Sequence, residues 1–131
     1  MPEAPPAAWP YRTYSGVKVK PGKGSEWLKL FEKYNKPVLD KLVADGAIYG
    51  YGVDVEDFHT EDPGWRWVWV VTTNLAAFDK IDASFDAANE KRSEAERAAI
   101  AEQFSRVTEA SAHRDYLFRT VVMGGRPASE K

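Results

Sequence analysis

The chain has 131 residues, with 18 Lys and Arg against 20 Asp and Glu and a net charge of −2. That length fits one domain, and so small a charge offers no basic field for nucleic acid. The chain contains no cysteine, which excludes disulfides, thiolate metal sites and a cysteine nucleophile, and no apolar run approaches the roughly 20 residues a membrane helix needs.

The first ten residues, MPEAPPAAWP, read as a Pro/Ala-rich flexible arm without the basic start and apolar stretch of a signal peptide. A cytoplasmic protein is the default expectation, and an exported form whose signal peptide has been removed stays open. From Tyr11 the pattern changes: Ser15, Val17 and Val19 alternate with Tyr14, Gly16 and Lys18, as in a strand, until Pro21–Gly22 stops it. Trp27, Leu30, Phe31, Tyr34, Val38, Leu42 and Val43 then follow helical spacing, with Ser25 expected as N-cap and Gly46 as terminator. Pro37 lies inside this run; lacking an N–H, it should kink the helix or restart it after Asn35.

A second alternating stretch puts Tyr49, Tyr51, Val53 and Val55 on one face and Ile48, Gly50, Gly52 and Asp54 on the other. A turn at Pro63–Gly64 leads into WRWVWVV, so a hairpin is expected. Asn74 can cap a helical region bearing Leu75, Phe78, Ile81 and Phe85; Ser93 can restart it, and Ile100, Phe104, Val107 and Ser111 continue the pattern. The last alternating stretch, DYLFRTVVM, separates Tyr116, Phe118, Thr120 and Val122 from Leu117, Arg119, Val121 and Met123. Residues 124–131 read as a loose tail, leaving 11–123 as one domain.

The resulting order, β-α-β-β-α-β, is the ferredoxin-like split βαβ arrangement: an α+β fold with an antiparallel sheet and helices on one face. Trp65, Trp67 and Trp69 then share a sheet face opposite Arg66, Val68 and Val70. Helices that already bring Leu30, Phe31, Phe78, Ile81, Phe85, Ile100 and Phe104 leave room for valines, and indoles would overfill that layer. The tryptophans therefore belong on the open side. So much aromatic surface exceeds what soluble monomers leave in water, and the economical cover is the same face of a second copy.

The β-α-β-β-α-β order, the passage VKVKPGKGSEWLKLF from strand through Pro-Gly into an amphipathic helix, and the return DGAIYGYGV resemble the dimeric α+β barrel superfamily. That group includes antibiotic-biosynthesis-type monooxygenases, NIPSNAP-like proteins and stress-responsive barrel proteins. The resemblance covers about residues 11–123, except that a long polar stretch around 86–112 departs from the usual pattern. It implies two sheets paired into a barrel, with a pocket between sheet and helices or within the barrel. It also implies binding, or cofactor-independent oxygenation, of a small aromatic or hydrophobic molecule. A purely structural dimer and a haem-binding or haem-degrading protein, with His59 or His113 as ligand, are the alternatives.

The candidate catalytic residues are His113, a base that Asp115 can orient, and Arg119. With Phe118 and Val122 beneath the helices, Arg119 faces the tryptophans, where it stacks on an indole or anchors a ligand carboxylate or carbonyl. Tyr14, Tyr49, Tyr51, Trp67 and Trp69 are the candidate binding residues, because hydroxyls among rings compose both pockets and dimer interfaces. The acidic loop around His59 lacks fixed metal-ligand spacing and reads as a hairpin tip. The reading requires neither metal nor cofactor.

Overall fold

A computed structural model describes residues 11–56, 62–122 and 124–125. His59, the expected arm and residues 126–131 lie outside them. The elements run β1 (Tyr11–Val19), α1 (Gly24–Tyr34), α2 (Lys36–Ala44), β2 (Gly50–Val55), β3 (Trp65–Thr72), α3 (Ala76–Glu90), α4 (Glu94–Val107) and β4 (Thr108–Arg119). The four strands form one antiparallel sheet in the order β2-β3-β1-β4. This is the ferredoxin-like α+β arrangement, and it is open: β2 and β4 are free edges, so one chain alone makes no barrel.

Local chemistry explains the breaks. The helical run splits at Asn35, and Pro37 falls in the first turn of α2, where its missing N–H has no intrahelical partner to lose. Gly46 ends this region with φ 75°, a left-handed conformation that glycine adopts without strain. Ser93 does restart the second helical region. Its hydroxyl accepts from the Glu96 N–H at 3.1 Å while the Glu96 carboxylate accepts from the Ser93 N–H at 3.3 Å, a capping box. The Asn74 side chain accepts from the Ala76 N–H at 2.9 Å. Ser25 makes no cap; α1 begins one residue before it, behind Lys23.

One boundary differs from the sequence expectation. The helical pattern runs on through Ser111, but α4 ends at Val107, where the Thr108 hydroxyl donates to the Phe104 carbonyl at 2.9 Å. The chain then pairs with β1 at Thr108 and, after a break in register, from His113 to Arg119. Backbone pairing along β1 overrides the weak helical signal of a polar segment. His113 is consequently opposite Val17 in mid-strand, not at a helix-to-strand junction.

The core lies between the helices and one sheet face. Val19 and Val70 from the sheet, Trp27 and Phe31 from α1, Leu39 and Leu42 from α2, Ala77 from α3 and Val107 from α4 are all buried. Val17, Val53, Val68 and Tyr51 pack against this cluster. The valine face is thus the helix face, and the tryptophan face is open, as the volume argument required.

Candidate functional site

The open face follows from strand register. Gly16 lies opposite Trp67, and Gly52 opposite Trp69. A Cβ at Gly16 would come within 2.5 Å of the Trp67 ring, and one at Gly52 would collide with the Trp69 ring. The glycines therefore let both indoles fold flat across neighbouring strands. Trp65 stacks on Trp67 with ring centroids 5.4 Å apart, Trp67 meets Tyr116 at 5.7 Å, and Tyr116 stacks on Phe118 at 5.9 Å, which meets Tyr14 edge-on at 5.8 Å. Trp65 is buried, covered by the Arg114 guanidinium 4.4 Å above its ring. Tyr116 and Phe118 are 44% and 51% exposed.

Charge sits at the ends of this face. Asp62 receives hydrogen bonds from the Lys18 ammonium at 2.6 Å, the Trp65 indole N–H at 2.9 Å and Arg114 at 3.3 Å. The Lys18 bond, then that of Trp65, holds the Asp62 carboxyl below its ordinary value, and Asp62 in turn raises Lys18. Across the sheet, the Trp69 indole donates to Asp54 at 2.9 Å. A hollow of about 420 Å³ beside it is lined by Arg12, Tyr14, Tyr49 and Trp69. The Arg12 Nε is buried there with no hydrogen-bond partner among the described residues.

The helix face carries a larger feature, a cleft of about 890 Å³ between the sheet and the helices. Trp27 and Phe31, stacked at 5.5 Å one helical turn apart, form one wall with Leu39. Phe78, Ile81 and Phe85 of α3 and Phe104 of α4 form another. The floor is β1, where Thr13 and Ser15 occupy the positions that Val17 and Val19 fill further along the strand. Small side chains beneath helices leave volume unfilled, and this creates the cleft. Leu117 and Asp115 of β4 complete it, with Asn35 and Thr108 adding polar groups. A volume of this size, mostly apolar with a few polar groups, is typical of a small-molecule site.

The expected site residues divide between the two faces. Tyr14, Trp67 and Trp69 lie on the open face, and Tyr49 joins them in the hollow beside Gly50. Tyr51 does not: it faces the helices, and its hydroxyl donates to Asp40 of α2. Lys36 bonds the same carboxylate at 2.8 Å and, with Tyr51, lowers the Asp40 carboxyl; burial and then Asp40 raise the Tyr51 phenol. Tyr49 and Tyr51 part company because Tyr49 precedes β2 and escapes its alternation.

Arg119 is also on the opposite face from that expected. It pairs with Tyr11, while Phe118 points to the open side against Tyr14. The expectation assumed that the helices roof every strand. Instead Leu117 and Phe118 are both more than half exposed, so no helix demands an apolar residue beneath it, and Phe118 joins the aromatic stack. His113 lies on the helix side with its Nε2 2.8 Å from an Asp115 carboxylate oxygen; both side chains are exposed. The resemblance implied a pocket between sheet and helices, but the sequence singled out neither the residues that line this cleft nor Arg12 as site residues. The available signal was the pair of small residues Thr13 and Ser15 at inward positions of a strand whose next inward residues are Val17 and Val19.

No protein-family model matches the chain, and no curated protein matches it in sequence. Solved structures do match in fold. A NIPSNAP-like domain protein from Burkholderia xenovorans superposes with a TM-score of 0.62 at 9% identity, covering 92% of each chain. A NIPSNAP family protein from Agrobacterium tumefaciens gives 0.58 at 11% identity, over 85% of this chain and 87% of that one. A protein from an uncultured marine organism, described as a dimeric ferredoxin-like protein, gives 0.66 at 7% identity, over 89% and 92%. At these identities the likeness is one of fold. Among the described residues no helix is long and apolar enough to cross a membrane.

Proposed function

We propose that this ferredoxin-like chain is a homodimeric small-molecule-binding protein, its ligand held in the cleft between helices and sheet. The cleft itself carries the reading. It offers about 890 Å³ behind stacked Trp27 and Phe31, with hydroxyls of Thr13, Ser15 and Thr108 and the Asn35 amide to orient an otherwise apolar guest. Nile red, a neutral hydrophobic dye, should bind saturably. Ser15→Leu, which places a bulky side chain on the cleft floor, should abolish that binding while preserving the far-UV circular dichroism. Undiminished dye binding by a folded Ser15→Leu protein would refute the reading.

The dimer is the second part of the proposal. The exposed rings of Tyr116 and Phe118, continuous with Trp67, make a patch that a symmetric copy would cover. The orphaned Arg12 Nε would find acceptors at the same junction. The neighbour described as dimeric supports this reading by its fold.

One observation favours catalysis in addition to binding. His113 is hydrogen bonded to Asp115, a residue of the cleft wall, so a base reaches the cleft through Asp115 from outside its lining. Oxygenase activity of the kind the barrel monooxygenases perform predicts uptake of dissolved oxygen with 1,5-dihydroxynaphthalene, and its loss in His113→Gln.

A further inference from the structure

The charge of the cleft narrows what it can hold. Among the described residues its lining contains two ionisable carboxylates, Asp82 on the α3 wall and Asp115 on the β4 wall, and no lysine, arginine or histidine. Asp82 has no ion-pair or hydrogen-bond partner among the described residues. Asp115 is engaged through one oxygen, Oδ2, by His113. Four basic side chains are committed elsewhere: Lys18 and Arg114 to Asp62 on the far face, Lys36 to Asp40, and Arg106 to Glu102. Arg119, expected to anchor a carboxylate, does not line the cleft.

A ligand carboxylate entering this cleft would lose hydration and meet only like charge, whereas an ammonium would meet opposite charge on two walls. We infer that the cleft selects hydrophobic amines: molecules with an aromatic or aliphatic body for the Trp27, Phe31 and Phe85 walls and a protonated amino group for Asp82 and Asp115. The inference rests on the binding reading above and adds the ligand's chemical class to it.

Three probes sharing one ring system separate the terms: 1-pyrenemethylamine, 1-pyrenemethanol and 1-pyrenecarboxylate, followed by pyrene fluorescence at low ionic strength. The amine should bind at least tenfold more tightly than the acid and severalfold more tightly than the alcohol. Asp82→Asn combined with Asp115→Asn should bring the amine down to the alcohol's affinity and leave the alcohol unchanged. Both carboxylates are at exposed positions, so the double variant should fold. Raising the salt to about 0.5 M should shrink the amine's advantage and spare the alcohol, since only the charged interaction is screened. Ser15→Leu should abolish binding of all three.

If the three probes bind wild type equally and Ser15→Leu loses them all, the amine inference is overturned and the cleft reading survives. If Ser15→Leu retains binding, or none of the probes binds, both fall. A preference for the acid, or an amine preference that persists in the double Asn variant, also overturns the inference.

Discussion

Two glycines of the sheet should respond to the same substitution with opposite signs. At Gly16, an added methyl would stand 2.5 Å from the Trp67 ring, and ordinary carbon contacts lie at about 3.5–4.0 Å. The indole would have to retreat by about 1 Å. It is held between Trp65 at 5.4 Å and Tyr116 at 5.7 Å, and Trp65 is itself buried, so the retreat disturbs the stack. Overpacking of this kind costs about 1–3 kcal/mol. Restricting the unfolded chain returns about 0.4–1 kcal/mol. Gly16→Ala should therefore destabilise, by up to about 2.6 kcal/mol. At Gly50 the nearest atom to an added methyl is the Val71 Cγ2 at 3.9 Å, an ordinary contact. Only the favourable chain term remains, and Gly50→Ala should be neutral to about 1 kcal/mol stabilising. Urea midpoints at one fixed protein concentration, read by tryptophan fluorescence and far-UV circular dichroism, measure both. A Gly16→Ala midpoint at or above wild type would show that the indole does not lie across Gly16.

The remaining predictions concern the dimer, acid stability and one helix start. Wild type should elute with light scattering of twice the chain mass, and Trp67→Asp, which places a carboxylate in the stack, as a monomer; a wild-type monomer at tens of micromolar would remove the dimer. Asp62 titrates below its ordinary value in the folded chain, so its contribution is complete above the unfolded carboxyl value of about 3.9 and lost as pH falls through the lower folded one. The urea-midpoint gap between wild type and Asp62→Asn should accordingly be full at pH 6 and close below pH 4. Ser93→Ala removes half of a capping box and should cost about 0.5–2 kcal/mol by the same unfolding assay.

The order of elements was legible because strong periodicities drive it, and the split at Asn35 because a proline cannot sit deep in a helix. The open placement of the tryptophans was legible from volume alone. The facing of single side chains near strand ends was not. Tyr51 and Arg119 were assigned by alternation from uncertain starting points, and alternation carries an error of one residue to every position after it. Tyr49 lies just outside β2, and β4 begins at Thr108 within a stretch whose letters suit a helix as well. The start of β4 has no proline or glycine to mark it. The residues lining the cleft were hidden for another reason: it is made by what Thr13 and Ser15 lack, and its depth depends on where α3 and α4 stand above them.

The two faces solve opposite packing problems with the same device, the pairing of large side chains with small ones across strands. On the open side Gly16 and Gly52 accept Trp67 and Trp69, so the indoles spread along the sheet and make a broad aromatic surface, suited to another such surface. On the helix side the small residues Thr13 and Ser15 have Val70 and Val68 as β3 partners, no indole lies across them, and space remains as a cleft. On the proposed reading, association and ligand binding would fall on faces separated by the thickness of one sheet. The exception is β4, whose alternate residues serve both: Tyr116 and Phe118 on the aromatic side, Asp115 and Leu117 on the cleft side. As an edge strand with no helix over it, β4 is the element through which a partner copy and a ligand would feel each other. The Trp67→Asp monomer should thus still bind Nile red through the intact cleft, and any change in its affinity should trace to β4.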